Sequence, residues 1–326
     1  MKRFMKSALI ALATATTVAA ASAQEVRIAF VPQIQGIPYY VAMENGGMAA
    51  AEKFGATYVQ QGPTSTNAAD QLRIFESFIN QGFEVVSVSP VDVESLKPAI
   101  KRARGSGIQV MTSDADAPGS ERQVFVAQAL DQDLGYTVLD ELVKRIGETA
   151  KIAIISDAPT IQSLNNWIAA IKERAASTYP GIEIVSVQHT DGTAARAYQF
   201  ATDSMTRNPD LKGIIGIAST TCPGVAQAVE AAGKIGQVVT TGYCSPNTAR
   251  EYMKSGAMPF SVLWSPYDLG YLTVWAGLEL HNGKTFAETN KVPGLDSPVT
   301  YMAEEKILLL GPPKVFTAEN VDDFDF

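Results

Sequence analysis

The chain has 326 residues, with 26 Lys and Arg against 34 Asp and Glu and a formal net charge of −8. That acidic balance argues against a nucleic-acid partner, which needs a basic footprint. A hydrophobic share of 46% marks a packed globular chain, and its length exceeds what one core fills, so two lobes are expected.

At the N-terminus Lys2, Arg3 and Lys6 precede the apolar stretch 8–21 and the small-residue pattern Ala21-Ser22-Ala23. This reads as a secretory signal peptide over residues 1–23, cleaved after Ala23. The apolar run is shorter than the roughly 20 residues of a membrane-spanning helix. The remainder is expected to be exported and soluble, and more acidic still.

Beyond residue 24, short runs rich in Val and Ile alternate with longer stretches of helical period. The expected strands cover 26–32, 56–61, 84–90, 108–114 and 123–128, then 150–156, 182–188, 212–219, 237–243 and 258–264. Helices are expected between them, for example over 92–107 and 165–181, the latter stopped by Pro180-Gly181. This is the pattern of parallel βαβ units. The second half also repeats the first: "AIKRARGSGIQVMT" from Ala99 aligns with "AVEAAGKIGQVVTT" from Ala228, and 63–90 resembles 189–219 in its order of turn, helix and strand. The fold class is therefore α/β, with two similar doubly wound parallel-sheet lobes.

Ligands of open parallel sheets gather at the carboxyl ends of the strands. Two facing lobes make a cleft walled by those ends. They are Gln33, Gln35, Tyr39 and Tyr40; Asp114 and Asp116; Ser163, Asn165 and Asn166; Ser219, Thr220 and Thr221; Tyr243 and Cys244; and Trp264. Amides, hydroxyls and a carboxylate hydrogen-bond the neighbouring hydroxyls of a sugar, and an aromatic ring covers its C–H face. Several of these residues have a second reading. Asp114 suits a helix N-cap, and Asp116 suits a turn or cap. Tyr39 and Tyr40 suit packing of the first helix, with one of the two facing the cleft. Trp275 reads as core, while Trp167 stays open between wall and core. Cys222 and Cys244 follow consecutive strand ends, and a disulfide and two buried thiols both remain open.

No metal site or cofactor is expected. His189 and His281 lie far from the cysteines, without ligand spacing. The chain contains no GxxxxGK[ST], HExxH, GxSxG, GxGxxG or CxxC motif, so an exported enzyme ranks below a binding protein.

The segments "IAFVPQIQGIPYY", "INQGFEVVSVSP", "TGYCSPNTAREYMKSGAM", "LWSPYDLGYLTVW" and "LGPPKVFTAENVDDFDF" resemble those of the periplasmic sugar-binding proteins of ABC importers with the ribose-binding-protein fold. The resemblance is closest to the subgroup of autoinducer-2-binding and rhamnose-binding proteins. It implies a type I periplasmic binding protein with a three-strand hinge. The first lobe would comprise 24–131 plus 264–298, and the second 132–263 plus 299–326. By the resemblance Asp114 takes the place of the ligand-binding aspartate. Gln33 stands where the autoinducer-2 binders carry lysine, Ser163 and Leu164 where they carry Asp-Gln, and Ile217 and Ser219 where they carry Pro and Ala. These departures favour a neutral sugar, deoxysugar or polyol. The implied partners are that small molecule and an inner-membrane ABC permease, in the periplasm, with the protein a monomer. The alternatives are an autoinducer-2 ligand, or a receptor feeding a chemotaxis or sensor protein.

Overall fold

A computed structural model describes residues 25–326. The expected signal peptide over 1–23 lies outside the described residues. In the first lobe β1 (Val26–Val31), β2 (Ala56–Gln60), β3 (Val85–Val88), β4 (Gln109–Ser113) and β5 (Phe125–Ala127) form a parallel sheet in the order β2-β1-β3-β4-β5. Helices α1 (Pro38–Phe54), α2 (Ala68–Asn80) and α3 (Val93–Gly105) alternate with these strands. Ile28 to Val31 and Val85 to Val88 are buried without alternation, as expected for strands covered by helices on both faces. Helices α2 and α3 begin where short polar side chains take up their free N–H groups. Asn67 accepts from the amide of Asp70, and Asp92 from that of Ser95.

The second lobe repeats this plan. Helix α4 (Asp131–Ile146) leads to β6 (Thr149–Ser156), α5 (Gln162–Thr178), β7 (Gly181–His189), α6 (Ala194–Arg207), β8 (Leu211–Gly216), α7 (Cys222–Ala231), β9 (Val239–Gly242) and α8 (Pro246–Ser255). Its parallel sheet runs β7-β6-β8-β9, matching the first four positions of the first sheet. The two internally similar segments fall on equivalent elements, α3-β4 and α7-β9.

Strand β10 (Phe260–Leu263) then leads across to α9 (Pro266–His281), which packs on α1 in the first lobe. Gly46 and Gly270 permit this approach. A Cβ at Gly46 would collide with the carbonyl of Tyr267, and one at Gly270 with the carbonyl of Met43.

The C-terminal region differs from expectation. The return to the second lobe, expected at 299, comes at 310–313. Before it, β11 (Thr289–Asn290), β12 (Val299–Met302) and β13 (Ile307–Leu309) extend the first sheet beyond β5, with β13 parallel to β5 and the other two antiparallel. The physical reason is a tight β12–β13 hairpin that buries Val299 and Leu308, with Lys306 at φ 56° in its turn. Only then does β14 (Lys314–Thr317) pair antiparallel with β10. Three segments thus pass between the lobes, at 128–130, 264–265 and 310–313, and the carboxyl ends of both main sheets face the same interlobe space.

Candidate functional site

The first wall of that space is built at the exits of β1, β3 and β4. After β1, a loop of polar residues ends at Pro38, whose fixed φ suits the first position of α1. The next two residues, Tyr39 and Tyr40, are 6% and 3% exposed and turn back toward the strand ends. At the exit of β4, Asp114 has φ 71°, in the left-handed region that Asp tolerates better than most residues. No helix follows, so Asp114 is not an N-cap. Its carboxylate instead collects three hydroxyls: Tyr39 donates to Oδ1 at 2.5 Å, and Tyr40 and Ser89 each donate to Oδ2 at 2.7 Å. Burial pushes its pKa above the ordinary carboxylate value, against the lowering effect of those hydroxyls. Burial and the Asp114 charge together hold both tyrosines well above the usual phenol value.

The second wall comes from the exits of β6, β8 and β9 and the first turns of α5. Asp157 follows β6 and is 5% exposed. Its Oδ1 accepts from the amide of Ala158 at 2.7 Å and its Oδ2 from the Thr220 hydroxyl at 2.9 Å. Burial raises its pKa as well. Ser219 donates to the carbonyl of Tyr243 at 3.2 Å, tying the exits of β8 and β9 together. Cys222 and Cys244 reinforce the same junction, for they form a disulfide with Cα atoms 6.1 Å apart. This resolves the open choice between bonded and free thiols.

Between the walls lies a chamber of about 60 Å3. Five rings run across it from lobe to lobe: Tyr40, Tyr39, Trp264, Trp167 and Tyr243. Neighbouring centroids are 5.0, 5.8, 5.8 and 4.7 Å apart, in edge-to-face or tilted contact. Trp264, on the second crossing, donates from Nε1 to the Tyr39 hydroxyl at 3.1 Å.

Nine of the expected wall residues meet at this chamber: Gln33, Tyr39, Tyr40, Asp114, Ser163, Ser219, Thr220, Tyr243 and Trp264. Both tyrosines of the pair line it, where one was expected. Six expected residues do not: Gln35, Asp116, Asn165, Asn166, Thr221 and Cys244. Asp116 is turned away into an ion pair with Arg122 at 2.6 Å and accepts the Thr112 hydroxyl at 2.8 Å. Asn165 bonds the carbonyl of Pro159, and Asn166 bonds Asp131 and Gln162. The cause is helical phase: α5 begins at Gln162, so Ser163 and Trp167, four residues apart, share the chamber face while 165 and 166 rotate off it. Gln35 is likewise diverted, to the amide of Gly62.

Sequence reasoning missed Asp157 and Thr66, and it left Trp167 open; all three line the chamber. A signal for Asp157 was present, because Ser-Asp-Ala occurs twice, at 113–115 and 156–158, each time at a strand exit. Two chamber hydroxyls, of Tyr243 and Thr66, have no hydrogen-bond partner among the described residues. A buried hydroxyl without a partner is costly, so these oxygens are suited to an incoming polar group.

Paired doubly wound lobes, three crossings and a chamber at the junction of the strand exits define the class of two-lobed ligand receptors. The chain belongs to the family described as "Periplasmic binding protein domain", which matches residues 28–285. It is similar to the D-ribose/D-allose-binding protein of Pseudomonas aeruginosa, with 27% identity over 252 residues, 74% of this chain and 77% of that one. Among solved structures, it resembles an ABC transporter solute-binding protein from Clostridium phytofermentas with bound L-rhamnose (TM-score 0.85, 25% identity, covering 92% of this chain and 98% of that one). A third likeness is to LsrB from Clostridium saccharobutylicum in complex with AI-2 (TM-score 0.85, 23% identity, covering 92% and 100%), and it speaks for the fold alone. Among the described residues, no helix is long and apolar enough to cross a membrane.

Proposed function

We propose that this protein is the periplasmic solute receptor of an ABC importer, and that it captures a sugar-like ligand of the rhamnose, pentose or polyol class between its lobes. The observation that carries the reading is the chamber itself: hydroxyl, amide and carboxylate groups from both lobes, backed by a continuous aromatic wall, with two buried hydroxyls unpartnered. Relatives named for ribose, allose and L-rhamnose support the substrate class. Among the described residues no lysine, arginine or histidine lines the chamber, which disfavours an anionic ligand.

Ligand capture works through the hinge. A ligand bridging Asp114 in one lobe and Asp157 in the other favours the closed arrangement over the open one by its differential affinity. Closure fixes the relative placement of the two outer surfaces, which a permease reads; a sensor protein would read the same change. The protein binds and releases its ligand without chemistry, as a monomer. The test is a thermal-shift and calorimetric screen of the mature chain, refolded from denaturant, against rhamnose, ribose, allose, xylose, erythritol and autoinducer-2. A rise in melting temperature with one sugar, which is recovered unchanged, supports the reading. Turnover of that sugar, or silence toward this panel and toward amino-sugars alike, overturns it.

A further inference from the structure

The chamber is unbalanced in two independent ways. The first is charge. Asp114 and Asp157 are 8% and 5% exposed and face the chamber from opposite lobes, yet no lining residue is cationic and the hydrogen-bond partners of both carboxylates are neutral. The arginines near these strand exits are engaged elsewhere, Arg122 with Asp116 and Arg196 with Asp191. A buried carboxylate that stays ionised is otherwise paired with a cation.

The second imbalance is in hydrogen bonding. Tyr39 and Tyr40 spend their protons on Asp114, Thr220 on Asp157, Ser219 on a main-chain carbonyl, Trp264 on Tyr39 and Trp167 on Asp131. The oxygens among these groups keep lone pairs for a further donor, and the rings line the same space. Of the buried chamber hydroxyls, only those of Tyr243 and Thr66, without a partner among the described residues, keep a proton as well as lone pairs for the same space. An ordinary sugar hydroxyl offers one proton and needs acceptors and donors alike. An ammonium group offers three protons and accepts none, and ring faces attract it through their quadrupoles.

We infer that the ligand carries a protonated amine, an aminosugar or amino-polyol whose ammonium settles against the chamber carboxylates and the aromatic wall formed by Tyr39, Trp264 and Trp167. This rests on the receptor reading and changes the expected neutral ligand in one respect, its charge. The polyol remainder of the ligand meets the hydroxyl and amide positions as before.

The test uses the full mature chain, refolded from denaturant, and calorimetry with matched probes: D-glucosamine, N-acetyl-D-glucosamine and D-glucose; 1-amino-1-deoxysorbitol and sorbitol; and tetramethylammonium as a bare cation. The expected result is saturable binding of an amine at least about tenfold tighter than its hydroxyl and N-acetyl counterparts. Asp157→Asn and Asp114→Asn should each reduce that preference to less than about threefold. If the Asn variants fail to fold, the comparison of amine, N-acetyl and hydroxyl forms on the unaltered chain decides by itself. Neutral partners that bind as tightly as the amine, or no saturable response to any amine at about 10 mM, overturn the inference. Neutral sugars binding while amines fail would leave the receptor reading intact, whereas silence toward every compound would sink both.

Discussion

Tyr39 and Trp264 meet edge to face, 5.8 Å between ring centroids, and the indole N–H donates to a phenol oxygen whose own proton goes to Asp114. Tyr39 belongs to the first lobe and Trp264 to a segment that crosses between lobes, so this relay couples the hinge to the carboxylate. Trp264→Phe keeps a ring and removes one hydrogen bond, for an expected loss of about 1 kcal/mol in urea unfolding. Trp264→Ala also empties a large buried volume, and about 3–5 kcal/mol is expected. Both should weaken ligand binding. Unchanged affinity in Trp264→Ala would remove this residue from the site.

Asp114 is the acceptor for three buried hydroxyls, so its replacement strands donors rather than freeing space. Asp114→Ala is expected to destabilise by about 2–4 kcal/mol, since each unpaired buried donor costs about 1–3 kcal/mol and some of the three will find other partners. The pH dependence has a definite sign. Burial raises the folded-state pKa of Asp114, so the folded chain holds this proton where the unfolded chain has released it. Its contribution to stability therefore falls as pH rises from the ordinary carboxylate value, about 3.9, through the raised folded value. Urea unfolding of the unaltered chain and of Asp114→Asn between pH 4 and pH 7 should show the difference between them shrinking as pH rises. A difference that grows with pH would mean that the three hydroxyls outweigh burial.

The Cys222–Cys244 disulfide closes a loop with a sequence separation of 22 and sits directly behind Thr220 and Tyr243. Loop-closure entropy for that length corresponds to about 3 kcal/mol at 25 °C. Reduction, or replacement of both cysteines by serine, should lower the unfolding free energy by about that amount. Ligand affinity should fall with it, because the exits of β8 and β9 lose their covalent tie. Full affinity after reduction would show that the Ser219 hydrogen bond to the Tyr243 carbonyl suffices to hold the wall.

Much of this arrangement was legible in the sequence, and the misses have physical causes. Most of the ten strands of the two lobes are runs such as "VRIAFV" and "AKIAII", rich in Val and Ile because they are largely buried, whereas the edge strands β2 and β7 are half-buried. Asp114, Tyr39, Tyr40 and Trp264 were legible because a strand exit is a fixed place in the fold, and polar aromatics there have no core to serve. Strands β11 to β14 were not, since they follow one another with no helix between them and so lack the strand-and-helix alternation that marks most of the others. Asn165 and Asn166 were misplaced because residues at an exit point into a cleft only while the chain is still a loop. Once α5 starts at Gln162, the 100° step of the helix decides instead.

Asp116 offers the sharpest contrast with the chamber carboxylates, since it stands two residues from Asp114 and yet serves a different purpose. Its partner Arg122 holds it with two bonds, Nε to Oδ1 at 2.6 Å and Nη2 to Oδ2 at 2.7 Å, and the same guanidinium reaches the carbonyls of Glu305 and Lys306. The pair thus clamps the loop after β4 to the β12–β13 turn. Asp116→Asn should cost about 1–3 kcal/mol in stability, as expected for loss of a charge-assisted, two-pronged hydrogen bond. Ligand affinity should stay within about twofold of the unaltered chain. Asp157→Asn should do the reverse, lowering affinity at least about tenfold for a smaller loss of stability, since its partners are a single hydroxyl and a main-chain amide. Isothermal titration of the two variants side by side separates the roles: a binding defect in Asp116→Asn would return that carboxylate to the ligand wall, and normal binding in Asp157→Asn would remove the second lobe's carboxylate from it.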